Sequence, residues 1–292
     1  MNGELYWVFP LDYKGAWVWC FANEYAPGYV KVPARRPGGV KCITINPKTG
    51  KRFQMIYTAA AGLQQNVVRR IYQKYPHKMF EEISFEVTDD GQPRYVASAI
   101  EPHIGFAGYK TVGVIVVNPL NGKVDYQKIG KTESWIDRVR PLNRVLNQVT
   151  WHGNYVHGFW NTLGSGQDRV KPTSFDGGTD LWFVNHNNQT YWFTGLTSCS
   201  DKDDNTLVCG IFVNTKKDET FTIPIRGADE NGVTKAVKAK LGEKKLVWTP
   251  KAPIPYPIYG STTWVVPVTA NEDHSFQSVA LVNGDDTSLV VI

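Results

Sequence analysis

Val114-Ile115-Val116-Val117-Asn118-Pro119-Leu120-Asn121-Gly122-Lys123 is the stretch on which the fold turns. A run of four β-branched residues closes on Asn. Asn-Pro and then Asn-Gly supply the backbone geometry of a tight reversal. The stretch therefore reads as a strand, a turn and a returning strand. The same shape occurs three more times, in Ile43-Thr44-Ile45-Asn46-Pro47-Lys48-Thr49-Gly50-Lys51, Ile211-Phe212-Val213-Asn214-Thr215-Lys216-Lys217-Asp218-Glu219 and Val279-Ala280-Leu281-Val282-Asn283-Gly284-Asp285-Asp286. Ahead of each lies a short run with an aromatic near its start: Tyr6-Trp7-Val8-Phe9, Arg94-Tyr95-Val96-Ala97, Tyr191-Trp192-Phe193-Thr194 and Thr263-Trp264-Val265-Val266. Four occurrences in one order point to duplication.

Helical patterns fall between these runs. The first covers roughly Ala59 to Lys74, with Leu63, Val67, Val68, Ile71 and Tyr72 on one face. The second covers Leu142 to Trp151, with Pro141 suited to its first turn. The third covers Asn231 to Leu241, with Val233, Ala236, Val237 and Leu241 aligned. Strand-like runs open after each, at Ile83–Val87, Leu181–Val184 and Leu246–Thr249. The expected class is α+β, with tandem repeats of a helix packed on a four-stranded antiparallel sheet. The expected divisions are a partial, strands-only repeat over 1–58, full repeats over 59–132 and 133–226, and a third over 227–292. Loop 158–178 interrupts the second repeat, and Pro250 to Gly260 reads as extended, polyproline-like chain. A strands-only segment is marginal alone. Residues 1–58 are therefore expected to pack on the next repeat, or to take the missing helix from another chain or an upstream region.

Composition is that of an ordinary folded protein, with 42% hydrophobic and 20% charged residues. The net charge of +5 is mild for 292 residues, so nucleic acid is not an expected partner. No run of about 18 apolar residues is present, so no membrane span is expected. The first residues lack the basic and apolar regions of a signal peptide. Cys20, Cys42, Cys199 and Cys209 form no C-x-x-C pair. They read as half-buried thiols among strands, with disulfides as the alternative, Cys199 and Cys209 facing across a hairpin.

The helix-then-hairpin unit resembles the PepSY and cystatin-like class of small α+β repeats. The chain is also similar to the soluble C-terminal part of large bacterial proteins with N-terminal transmembrane helices. Ala26-Pro27-Gly28-Tyr29-Val30-Lys31-Val32, Ile104-Gly105-Phe106, Trp135-Ile136-Asp137-Arg138-Val139, Gly153-Asn154-Tyr155-Val156-His157-Gly158-Phe159-Trp160-Asn161 and Tyr191-Trp192-Phe193-Thr194-Gly195-Leu196-Thr197-Ser198 carry that likeness. The resemblance implies a repeat fold and no catalytic residues. A version without a membrane segment suits a phage-borne or other particle-borne protein.

Candidate chemistry is sparse. Gly164-Ser165-Gly166 is not a nucleophile elbow, because no strand leads into it. His77, His103, His152, His157, His186 and His274 show no metal-ligand spacing. Asp201-Lys202-Asp203-Asp204-Asn205 begins like a calcium loop, but Thr206 stands where Gly is needed and Phe212 where Glu is needed. Glu81-Glu82 and Asp89-Asp90 read as solvated carboxylates. Neither cofactor nor metal is expected. Two stretches remain as binding candidates. Lys31, Arg35, Arg36 and Lys41 head the densest positive patch. Trp151, Tyr155, Phe159 and Trp160 form the densest aromatic cluster, either core packing or an exposed patch for protein or sugar. The functional expectation is a non-enzymatic structural or binding component of a larger assembly, such as a virion or envelope complex. Its partner is then another protein or its own copies. A PepSY-like peptidase inhibitor or peptide sensor, with Pro250 to Gly260 as the inserted element, is the alternative.

Overall fold

The computed structural model describes residues 6–12, 25–34, 38–103, 108–175, 178–179, 181–186, 189–199, 206–225, 227–258 and 260–292. Among the described residues strands make up 44% and helices 18%, so the fold is mostly β. Two compact units form, Met1–Arg144 with Thr215–Lys217 and Val145–Asn214 with Asp218–Ile292.

The first unit opens with β1 (Tyr6–Pro10), β2 (Tyr29–Pro33) and β3 (Lys41–Ile43) in one antiparallel sheet. Helix α1 (Val67–Lys74) follows. It is shorter than the periodicity predicts, because Asn66 caps it and its side chain accepts from the Arg69 amide at 3.2 Å. Only Val67 and Ile71 of the predicted stripe are buried, while Leu63, Val68 and Tyr72 face solvent. Four strands then meander antiparallel: β4 (Met79–Val87), β5 (Pro93–Glu101), β6 (Lys110–Val117) and β7 (Val124–Lys128). Alternation along β5 and β6 splits their side chains between two cores. Tyr95, Ala97, Ile115 and Val117 pack with Val67 and Ile71 of α1. Val96, Val114 and Val116 lie under a strap, residues 129–139, through Ile136 and Val139.

Residues 25–58 join this sheet. The Tyr29 ring lies 5.9 Å from that of Phe53 and 6.0 Å from that of Phe85, and its hydroxyl donates to the Gly91 carbonyl at 3.2 Å. Asn46 and Gln92 exchange buried amide hydrogen bonds of 3.2 and 2.9 Å. Tyr29, Phe53 and Met55 are buried by this packing. No second chain is needed to cover them.

Helix α2 (Leu142–Asn154) begins in the first unit and continues from Val145 in the second, where α3 (Phe159–Leu163) follows. Strands β8 (Val170–Pro172), β9 (Ser174–Phe175), β10 (Gly178–Thr179), β11 (Trp182–His186), β12 (Gln189–Ser198), β13 (Thr206–Leu207), β14 (Cys209–Asn214), β15 (Thr220–Ile223) and β16 (Gly227–Ala228) follow. One sheet runs β11-β12-β14-β15, with β8 also on β12; β9/β10 and β13/β16 are two-stranded ribbons. Helix α4 (Glu230–Leu241) leads to β17 (Trp248–Pro250), β18 (Ile254–Ile258), β19 (Ser261–Ala270), β20 (Phe276–Asn283) and β21 (Val290–Val291). The last sheet runs β17-β19-β20-β21, with β18 also paired to β19.

These sheets overturn the expected α+β architecture of tandem helix-on-sheet repeats. Val184, Phe193 and Phe212 of one sheet share a single core with Trp264, Val266 and Ala280 of the other. One helix serves both, through Val233, Val237 and Leu241 at helical spacing. The backbones meet closely at Gly227, where φ is +134° and an added Cβ would sit 2.3 Å from the Gly284 carbonyl oxygen. Local pattern reveals α1, α2 and α4, but not α3 and β8, which lie in the stretch expected to be loop 158–178, nor that neighbouring sheets pool their apolar faces.

The stretch expected to be an extended loop at Pro250 to Gly260 is corrected as well. Its β18 segment pairs in register with β19, from Ile254 opposite Val265 to Ile258 opposite Ser261. Pro255 and Pro257 lack the amide donor that a second neighbour would need, which suits a sheet edge. Three of the four Asn turns, by contrast, share one closing bond, and the fourth closes one residue later. The Asn46, Asn118 and Asn214 amides donate to the carbonyls of Lys51, Lys123 and Glu219 at 2.8–2.9 Å, and Asn283 donates to Leu289 at 3.1 Å.

Candidate functional site

Trp151, Tyr155, Phe159 and Trp160 come together at the elbow between α2 and α3. Trp151 is half-buried on the last turn of α2. The other three point into solvent, with Trp160 80% exposed. Leu163, 68% exposed, joins them one turn beyond Phe159. The Tyr155 and Phe159 rings stack at 6.3 Å and 22°, and Phe159 meets Trp160 edge-on at 5.9 Å. The cluster is an exposed knob. Leu163 is absent from the sequence reading, although its i+4 spacing from Phe159 was the available signal.

The knob is built to hold its shape. Asn161 is buried, and its amide nitrogen donates to the carbonyls of Val156 at 2.9 Å and Gln167 at 2.8 Å. Its Oδ1 accepts from the Gln167 amide at 2.9 Å and the Ser165 hydroxyl at 3.1 Å. One side chain thus ties both ends of the elbow, and Ser165 has a structural role in it. His157 and Asp168, both at positive φ, bond across the loop at 2.9 Å. Beneath the knob α2 lies so close to β8 that a Cβ on Gly153 would stand 2.2 Å from the Val170 carbonyl oxygen. Asn161→Ala is expected to strip these bonds and destabilise the elbow by about 2 kcal/mol. Hydrogen exchange of the Gln167 amide reads this directly, with faster exchange expected.

The basic candidates are placed differently. Lys31 on β2 stands directly opposite Lys41 on β3, so two like charges share one sheet face. The Lys31 ammonium lies 3.8 Å from the Tyr6 ring centroid. Arg35 and Arg36 lie outside the described residues, as do Cys20 and the acidic turn from Asp201 to Asn205. Trp7 and Phe9 project, more than half exposed, from the opposite face of β1.

Three of the four carboxylates read as solvated have partners, and Asp89 is exposed. Glu81 and Glu82 sit at a bulge in β4, where Glu81 binds the buried Arg144 and Glu82 binds Arg138 at 2.8 Å. Asp90 pairs with Lys48 and accepts from the Thr88 hydroxyl, which holds its carboxyl below the usual range. Cys42, Cys199 and Cys209 are free thiols. Leu196, rather than Cys199, is the register partner of Cys209, and burial pushes the Cys209 thiol up. Among the described residues no three metal-ligating side chains gather, and no helix is long and apolar enough to cross a membrane. No protein-family model, curated protein or solved structure matches the chain.

Proposed function

We propose that this chain is a non-enzymatic binding component of a larger assembly, and that it engages a protein partner through the aromatic knob. The observation that carries this reading is the pre-formed exposure of Tyr155, Phe159, Trp160 and Leu163 on a turn fixed by Asn161. Leaving a Trp largely in water forgoes about 2 kcal/mol or more of burial, and folding here does not recover it. A cluster of such side chains on a rigid turn supplies anchors of the kind that dominate interfaces. Pre-organisation also lowers the ordering cost on binding. The N-terminal strands no longer motivate this proposal, because Tyr29, Phe53 and Met55 are covered within their own unit.

A photo-crosslinking residue in place of Trp160, in cells that produce the native protein, tests the proposal. A discrete crosslinked protein band is expected, and Phe159→Ser should remove it. A crosslink to a second copy of the chain assigns self-assembly. Crosslinks to lipid alone, or none above a buried-site control, overturn the proposal.

A further inference from the structure

The second face of the β4–β7 sheet is only partly covered by its strap. Beside Ile136 and Val139 it leaves a cleft of about 700 Å³, within the range that holds small ligands. Arg94 and Val116 of the central strands, Asp125 and Gln127 of β7, Asn118 of the following turn, and Glu133 and Trp135 of the strap all line it.

Arg94 is the unusual member. It stands directly opposite Glu86 across β4 and β5. Glu86 instead gives its carboxylate to the strap, accepting from the amides of Asp137 at 2.9 Å and Arg138 at 3.4 Å. Arg94 keeps one hydrogen bond, from Nη1 to the Pro93 carbonyl at 2.7 Å. Among the described residues no carboxylate lies within ion-pair distance of it. A guanidinium offers five donors, so most of its capacity is unspent. Burial lowers its pKa against the pull of Asp90, Glu133 and Asp125, as desolvation of the charge requires.

Most of the other charges of the cleft are spoken for. Lys48 pairs with Asp90, and Lys123 with Asp125 at 3.1 Å. Glu133 accepts from Gln127 Nε2 and from the Trp135 indole nitrogen, both at 3.0 Å. An anionic ligand would meet Asp89, Asp90, Asp125 and Glu133; a cationic one would meet Arg94, Lys48 and Lys123. A neutral ligand with many hydroxyls escapes both penalties. Each hydroxyl both donates and accepts, which matches a wall of amides, carboxylates and a guanidinium. The C–H face of a pyranose ring matches the flat apolar body of an indole.

We propose that this cleft is a binding site for a neutral saccharide, with Trp135 as the ring platform and Arg94 as the principal hydroxyl donor. Cellohexaose, maltohexaose and N-acetylchitohexaose serve as probes in calorimetric titration of the full chain, with oligogalacturonate as the charged comparison. Saturable binding of at least one neutral probe is expected, with oligogalacturonate weaker. Arg94→Ala and Trp135→Ala should each weaken it about tenfold or more, the effect of losing one charged hydrogen bond or one stacking surface. Trp135→Phe should keep part of the affinity, and far-ultraviolet circular dichroism should show each variant folded. Trp160→Ser should leave binding unchanged, which separates this site from the knob. Failure of all three neutral probes at millimolar concentration, tighter binding of oligogalacturonate, or undiminished binding by folded Arg94→Ala overturns the proposal.

Discussion

Trp264→Ala is expected to destabilise the second unit by about 4 kcal/mol and to unfold both of its sheets together. Trp264 is fully buried on β19, within the core shared by Phe193 and Phe212 of the other sheet and Val233 and Val237 of α4. Removing the indole deletes its transfer energy and leaves a cavity that flanking β-branched residues cannot close without moving their strands. The size of the loss follows from burial alone. Its cooperativity follows from the shared core. Amide protection should fall in parallel in β12 and β14 and in β19 and β20, read by native-state hydrogen exchange. Loss confined to β17–β21 would mean that the sheets are energetically separate, and would restore the independent repeat that the sequence suggests.

Glu86→Ala is expected to cost the first unit about 3 kcal/mol, through the strap rather than the sheet. The Glu86 carboxylate is 8% exposed and accepts from the Asp137 and Arg138 amides and from Ser84 Oγ at 3.1 Å. Truncation orphans two amides beside Ile136, which lies with Val139 over Val96, Val114 and Val116. Urea unfolding, with exchange of the Asp137 amide as the local probe, measures both effects. Faster exchange at Asp137 than at Val114 is expected.

The same carboxyl sets a pH dependence. Burial holds its pKa above the usual carboxylate range, and the nearby Asp137 charge adds to this, while the hydrogen bonds donated to it pull the other way. A pKa higher in the folded state than in the unfolded state means that folding favours the protonated form. The Glu86 contribution is then fully present below the unfolded carboxylate value and is lost as pH rises through the folded one. Stability of the first unit is expected to decline over that window in the wild type, and the decline should flatten in Glu86→Gln. An unchanged slope in Glu86→Gln would remove Glu86 as its source.

The candidate site was half legible. Trp151, Tyr155, Phe159 and Trp160 stand out by density alone, and the knob contains them. Aromatic density is the same for a core and for a surface, so exposure was not legible. Nor was the cleft. Arg94, Asp125 and Glu133 are scattered over 40 residues of unremarkable polar sequence, and the sheet's pleat and the strap bring them together. Glu81 reads as solvated because its partner Arg144 is 63 residues away.

What the sequence by itself determined is local. The Asn46, Asn118 and Asn283 turns recur because an Asn side chain satisfies the turn's own amides, as Asn118 Oδ1 does for the Leu120 amide at 2.9 Å. Helices α1, α2 and α4 follow from apolar spacing, and Asn66 and Asp229 cap α1 and α4. Tertiary structure alone decided which apolar faces meet. Residues 25–58 close on β4 and β5, two sheets and one helix merge around Trp264, and the proline-rich segment becomes an edge strand. The reason is that hydrophobic burial is non-directional. A sheet face specifies that it must be covered, and only the path of the whole chain specifies by what.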